Sequence, residues 1–186
     1  MTADDTAPAA PAPPTATRAA PPTATRARWG VFLAIAVAVI IADQVSKAWL
    51  LANVAAGQVM SVIGDLVRLV QSQNSGALFG LFRDQAILFA LVSLGVIGLI
   101  ALYHGRAGRS LYLSIALGLL LGGAIGNMID RFRFGYVVDW VDAGLGSIRF
   151  WTFNVADSAI TLAIVMLLAM AIFPALAGSS RGEADA

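Results

Sequence analysis

GGAIGNMIDRFRFGYVVDWVDAGLGSIRFWTFNVADSA, residues 122–159, sets Asp130, Asp139, Asp142 and Asp157, with Asn127, Asn154 and Arg131, between two long apolar runs. Ionisable groups at membrane depth are costly, so they face a bundle interior, pair with one another or perform chemistry. Working outward from this stretch, four windows are long enough to cross a hydrocarbon core of about 30 Å, which takes about 20 helical residues. They are 29–51, 84–103, 110–129 and 155–177. With 59% hydrophobic and only 12% charged residues, the 186-residue chain is too apolar for a soluble domain of this size. The expected fold is an all-α membrane protein: four transmembrane helices joined by short segments, residues 29–178 forming one unit with no second domain.

Composition also removes whole classes of chemistry. There is no cysteine, hence no disulfide, thiolate nucleophile or thiolate metal site. His104 is the only imidazole, so an H-E-x-x-H zinc site is excluded and a Ser-His pair would have to use that residue. Ser46 adjoins Lys47 off its face, and Ser75 lacks the usual glycine context, which disfavours a serine protease. No ligand set for a metal or cofactor is visible. A net charge of +1 with no basic run gives no sign of nucleic acid as a partner.

Residues 1–28 are mostly Ala, Pro and Thr with scattered Arg, and PPTATRA occurs at 13–19 and again at 21–27. Such a segment cannot bury enough apolar surface to offset its ordering entropy, so it reads as a disordered tail. A cleaved signal peptide with 29–41 as its apolar core is the weaker reading, because the apolar run continues past Asp43 to Leu51. In the first span Asp43 and Lys47 are four residues apart and share a face, where they can pair. Residues 52–83 are β-rich with turn chemistry at Gly64-Asp65, which predicts a small β-hairpin or sheet outside the bundle, ending in the NSGALFG segment at 74–80. An Asn74 side chain there could hold a peptide backbone. HGRAGR at 104–109 reads as a turn, and Gly118, Gly122 and Gly126 give the third span a face for close helix approach.

Six arginines (18, 26, 28, 106, 109 and 181) fall on one side of this topology and five (68, 83, 131, 133 and 149) on the other, where they are interleaved with aspartates. The positive-inside rule then puts both termini, including a short tail at 179–186, in the cytoplasm, and the β-rich loop and acidic cluster at the outer face.

Asp130 is expected to end the third span, Asp139 to sit in a loop, and Asp157 to open the fourth span, so all three reach one edge of the bundle. Two carboxylates sharing a low-dielectric site do not both ionise, so one holds a proton while the other is a base. Such a pair can activate water and protonate an amide leaving group. Asp130, next to Arg131 and one turn after Asn127, reads as ionised and structural. Asp139, between valines and Trp140, has surroundings that raise a carboxyl pKa. Asp157 falls in a first helical turn with Asn154 as N-cap, where the dipole favours the anion. The pair expected to do the chemistry is therefore Asp139 and Asp157, and Asp142 reads as a solvated loop charge.

The boxes D43-Q-V-S-K47, N74-S-G-A-L-F-G80, G122-G-A-I-G-N-M-I-D-R131, V137-V-D-W140 and F153-N-V-A-D157 resemble those of the lipoprotein signal peptidases, also called signal peptidase II. The likeness covers residues 29–177 in order and leaves out the Pro-rich tail. It implies an intramembrane aspartic endopeptidase of the bacterial cytoplasmic membrane that works without a cofactor, as a monomer, in contact with membrane lipid. It would remove the signal peptide from prolipoproteins once their lipobox cysteine carries a diacylglyceryl group, cutting just before that cysteine. The family's catalytic pair maps onto Asp139 and Asp157. Asp43, Lys47, Asn74, Asn127, Asp130, Arg131 and Asn154 map onto its supporting polar positions, and a small β-sheet cradle is implied after the first span. The alternative from another class is a small ion- or proton-coupled carrier using Asp43, Lys47 and the Asp cluster as a relay. It lacks the repeats or interrupted helices that alternating access uses.

Overall fold

The computed structural model describes residues 27–75 and 86–177. In chain order they form α1 (Trp29–Asn53), β1 (Val59–Ile63), β2 (Val67–Asn74), α2 (Ala86–Ala107), α3 (Leu111–Phe134), β3 (Val137–Leu145), β4 (Ile148–Arg149) and α4 (Val155–Ile172), followed by a 3-10 turn at Pro174–Ala177. Each of the four helices is long and apolar enough to cross a membrane. On α1, Leu33, Val37, Ile41 and Val45 point outward while Phe32, Ala36, Val39, Asp43 and Lys47 are buried. A greasy outside with the charges inside is the reverse of a soluble helix, and it suits lipid as the surrounding solvent.

The third helix is the hub, packing against α1, α2 and α4. Its glycines make this possible. A Cβ at Gly118 would lie 2.7 Å from Phe32 O, one at Gly122 2.7 Å from Ala36 O, and one at Gly126 2.7 Å from Asp43 Oδ2, so this face seats α1 backbone to backbone. The neighbouring Gly123 does the same for α4, where a Cβ would meet Ile160 Cγ1 at 2.7 Å. A core of Phe32, Ala36, Ile100, Leu113, Leu117 and Leu121 fills one end of the bundle.

At the other end lies a four-stranded antiparallel sheet in the order β1-β2-β3-β4. The β1–β2 hairpin turns at Gly64, whose φ of 49° is left-handed, in keeping with the Gly64-Asp65 reading. The sheet is larger than the loop after α1, because β3 and β4 come from between α3 and α4. Leu50, Val54 and Val138 form a second core beneath it.

Several boundaries differ from the hydropathy reading. The second helix runs on through His104 and Arg106 to Ala107, so the predicted turn shrinks to a few residues. His104 is buried there, stacked on Phe32 at 4.1 Å, and that packing sustains the extra turn. The third helix continues past Asp130 to Phe134 and stops at Gly135, which takes the left-handed φ of 77° of a C-cap. Its charge does not end the helix because Lys47 pairs with it. The fourth helix ends at Ile172, since Pro174 cannot continue it. Asp139 and Asp142 lie in strand β3, not in a loop. Arg28, placed in the tail above, is anchored instead: its N–H donates to Gly108 O at 2.8 Å and its Nε to Arg109 O at 2.9 Å. Residues 1–26, 76–85 and 178–186, which hold most of the expected tails and of the NSGALFG segment, lie outside the described residues.

Candidate active site

Two local pairings bring the acidic residues together. The chain entering α4 is stitched to β3: Val141 and Phe153 exchange backbone hydrogen bonds at 2.8 and 3.1 Å. Asn154 follows as the N-cap of α4, accepting the Asp157 N–H at 2.8 Å, while Asp157 Oδ2 accepts the Asn154 N–H at 3.3 Å in a capping box. Strand β3 meanwhile pairs Asp139 with Ser72 and Val137 with Asn74 of β2. One residue therefore touches both carboxylates. With its oxygen committed to the Asp157 N–H, Asn154 directs Nδ2 at Asp139 Oδ1, 2.7 Å away.

Among the described residues, every oxygen of the pair faces one amide donor. Asp139 Oδ1 accepts from Asn154 Nδ2 and its Oδ2 from Asn74 Nδ2 at 2.9 Å. Asp157 Oδ1 accepts from Asn127 Nδ2 at 2.8 Å and its Oδ2 from the Asn154 backbone. Each carboxylate oxygen can take two hydrogen bonds, so capacity remains on all four for a water or a substrate group. Asp139 is 1% exposed, whereas Asp157 is half-buried. Burial is the main reason the Asp139 carboxyl is pushed up from 3.8 to about 6. The Asn74 hydrogen bond opposes the rise, the Asp157 charge adds to it, and Asn154 and Lys47 oppose it. A carboxyl acid beside a carboxylate at near-neutral pH can hand over and take up protons.

Beneath the pair lies a buried charge cluster. Lys47 Nζ sits 2.8 Å from Asp43 Oδ2 and 2.8 Å from Asp130 Oδ2, and donates to Asn127 Oδ1 at 3.2 Å. The expected Asp43–Lys47 pair is present, but the partner of Asp130 is Lys47 and not the adjacent Arg131. Arg131 donates to Asn127 O at 3.2 Å, lies over the Phe89 ring, and is in electrostatic range of Asp157, Asp130 and Asp139.

The sequence reading missed one residue and misread another. Gln44 donates to Asp43 Oδ2, Asp130 Oδ1 and Gly126 O, at 3.1, 3.0 and 3.3 Å. It lies three residues before Lys47, a spacing that brings two side chains onto one side of a helix and could have revealed it. Asp142 is a correction: it is buried, held by Arg149 at 2.9 Å and Arg68 at 2.6 Å. Arg149 first, then Arg68, keeps its carboxyl below the usual carboxylate range. These arginines also reach Asp65 in the β1–β2 turn, which ties the two hairpins together. His104 takes no part. It meets Ser114 Oγ at 3.1 Å, and that buried hydroxyl donates to Gly108 O, a contact inside the core.

The family described as signal peptidase (SPase) II matches residues 35–173. A lipoprotein signal peptidase of Syntrophomonas wolfei is 39% identical over 145 residues, covering 77% of this chain and 91% of that protein. One from Streptococcus agalactiae is 38% identical over 135 residues, covering 72% and 86%. Among solved structures, a bacterial membrane enzyme determined by the in meso method at 2.3 Å resolution superposes with a TM-score of 0.74 at 28% identity, covering 86% of this chain and 97% of that one. Four membrane-crossing helices, a small sheet and a carboxylate pair framed by amides thus come with a match across most of the chain, and the protein belongs to the signal peptidase II family of membrane peptidases.

Proposed function

We propose that Asp139 and Asp157 are an aspartic dyad that removes the signal peptide from prolipoproteins, cutting just before a lipobox cysteine that carries a diacylglyceryl group. The observation that supports this most is Asn154, which bonds to both carboxylates and leaves each with free acceptor capacity. In this reading Asp139 holds the proton in the free enzyme and Asp157, at the N-terminus of α4, is the base. Asp157 takes a proton from water as the water oxygen attacks the scissile carbonyl, while Asp139 gives its proton to the carbonyl oxygen. The resulting gem-diol collapses: one of its hydroxyls returns a proton to Asp139 as the C=O of the new carboxyl group forms, the C–N bond breaks, and the proton gained by Asp157 passes to the amine of the departing cysteine. Asn74, Asn127 and Asn154 orient the two carboxylates, and Arg131 adds positive charge beside them.

The surroundings fit a lipid-anchored substrate. A cleft of about 580 Å³ opens beside Asp157, between the Phe150–Phe153 segment and the Ser158, Thr161, Leu162 and Val165 face of α4. A signal peptide could slide into it from the bilayer without lifting its lipid into water. In our topology both termini are cytoplasmic and the dyad lies near the outer face.

The test is cleavage by purified protein in detergent of a prolipoprotein with and without its diacylglyceryl group, comparing wild type with Asp139→Asn and Asp157→Asn. We expect only the lipidated substrate to be cut, and both variants to be inactive while still folded. Full activity in both variants would overturn the dyad. Equal cleavage of the unmodified substrate would overturn the lipid requirement.

A further inference from the structure

We propose that Asp43, Gln44, Lys47 and Asp130 form a clamp that sets the position of Asp139 relative to Asp157, so that they are positioning residues for the reaction. This rests on the dyad reading above. The connection runs through the backbone on each side. Asp130 Oδ2 accepts the Val138 N–H at 3.0 Å, and Val138 immediately precedes Asp139. Asp43 Oδ1 accepts the Ala156 N–H at 3.0 Å, and Ala156 immediately precedes Asp157. Lys47 joins the two carboxylates at 2.8 Å each, and Gln44 Nε2 joins them a second time at 3.1 and 3.0 Å. The strand bearing one reacting group and the helix bearing the other are thus fastened to a single face of α1.

A third connection ends on a side chain. Lysine has only donors, so the Asn127 atom facing Lys47 is its Oδ1, and Nδ2 must then face Asp157 Oδ1. Lys47 therefore selects the orientation in which Asn127 donates to Asp157.

The charge arrangement explains why the clamp can be buried. Asp43, Lys47 and Asp130 are all at most 2% exposed. Their net negative charge faces the N-terminus of α4, where the Ala156 N–H would otherwise be one of the unsatisfied donors of the first turn. Gly126 allows the close approach: a Cβ there would lie 2.7 Å from Asp43 Oδ2.

The test measures kcat, KM, pH profile and thermal stability for Lys47→Met and Gln44→Ala, with Leu113→Ala in the opposite core as a destabilised control. A dyad displaced by about 1 Å loses on the order of 100-fold in rate. We expect a loss of that size in kcat for Lys47→Met with KM within about threefold, and about tenfold for Gln44→Ala, which cuts only the second bridge. The alkaline limb of the Lys47→Met profile should also move to higher pH, because the ammonium opposes the rise at Asp139. Leu113→Ala should lower the melting temperature and leave kcat and the limb in place. If Lys47→Met does not fold, Gln44→Ala decides alone. Wild-type kcat and pH profile in the variants, or losses that follow the folded fraction as in the control, would overturn the clamp. Activity retained in Asp139→Asn and Asp157→Asn would instead overturn the dyad.

Discussion

The displaced titration of Asp139 makes folding stability depend on pH in one direction over one window. Its carboxyl is pushed up from 3.8 to about 6 in the folded chain. Between those values the native state binds more protons than the unfolded state, so stability falls as pH rises from about 4 to about 6 and levels off above. A displacement of about two units, at about 1.4 kcal/mol per unit, corresponds to about 3 kcal/mol. That is an upper value, since an unfolded chain in detergent is itself partly desolvated. The measurement is denaturation in detergent from pH 4 to 8 for wild type and Asp139→Asn. Other titrating groups are common to both, so the difference between the curves isolates this carboxyl. Wild type should lose stability relative to the variant across the window, and parallel curves would refute the argument. Cleavage gives a second reading, because the alkaline limb of kcat/KM reports the free enzyme's essential acid. That limb should lie near pH 6. Asn74→Ala should move it upward, since the Asn74 N–H favours the anion. Movement downward would mean that Asp139 is not the group titrating.

Two further outcomes follow from packing and charge. Gly122→Ala would set a Cβ 2.7 Å from Ala36 O and 2.7 Å from Val39 Cβ, forcing α1 off α3 at a cost of about 1–3 kcal/mol. Gly98→Ala, with nothing within 4 Å, should be neutral or gain about 0.5–1 kcal/mol, and equal melting temperatures for the two variants would contradict the packing. Arg131→Ala should impair cleavage more than Arg133→Ala, because Arg131 bonds to Asn127 O near both carboxylates whereas Arg133 is exposed and reaches Gln44 Oε1 at 3.4 Å. Equal and negligible losses in kcat/KM would remove Arg131 from the site.

What the chain shows on its face is what is local. The spans are legible because hydropathy over about 20 residues is a bulk property. Asn154 and Asp157 are legible because a cap and its third residue satisfy each other within one turn. The Asp43–Lys47 pair follows from i, i+4 spacing. The helix ends were also written locally, in Gly135 and Pro174, but a window average passes over such stop signals. Asp142 was hidden for a different reason. Of its two arginines, Arg68 lies 74 residues away on β2, and no neighbour of Asp142 reveals a pairing that only the β2–β3 register creates. The same holds for Asp130, whose visible neighbour Arg131 is not its partner.

The buried charges then fall into two sets. Near the edge of the bundle, Asp139 and Asp157 are held by neutral amide N–H donors, which orient the two carboxyl groups. Asp43 and Asp130 are instead joined to one ammonium, that of Lys47. A lysine set directly against Asp139 would oppose the rise that burial gives its carboxyl, as Lys47 already does from further away. The chemistry open to Asp139 thus depends on its burial first, which raises the carboxyl, and then on the amides and the Lys47 charge, which temper that rise.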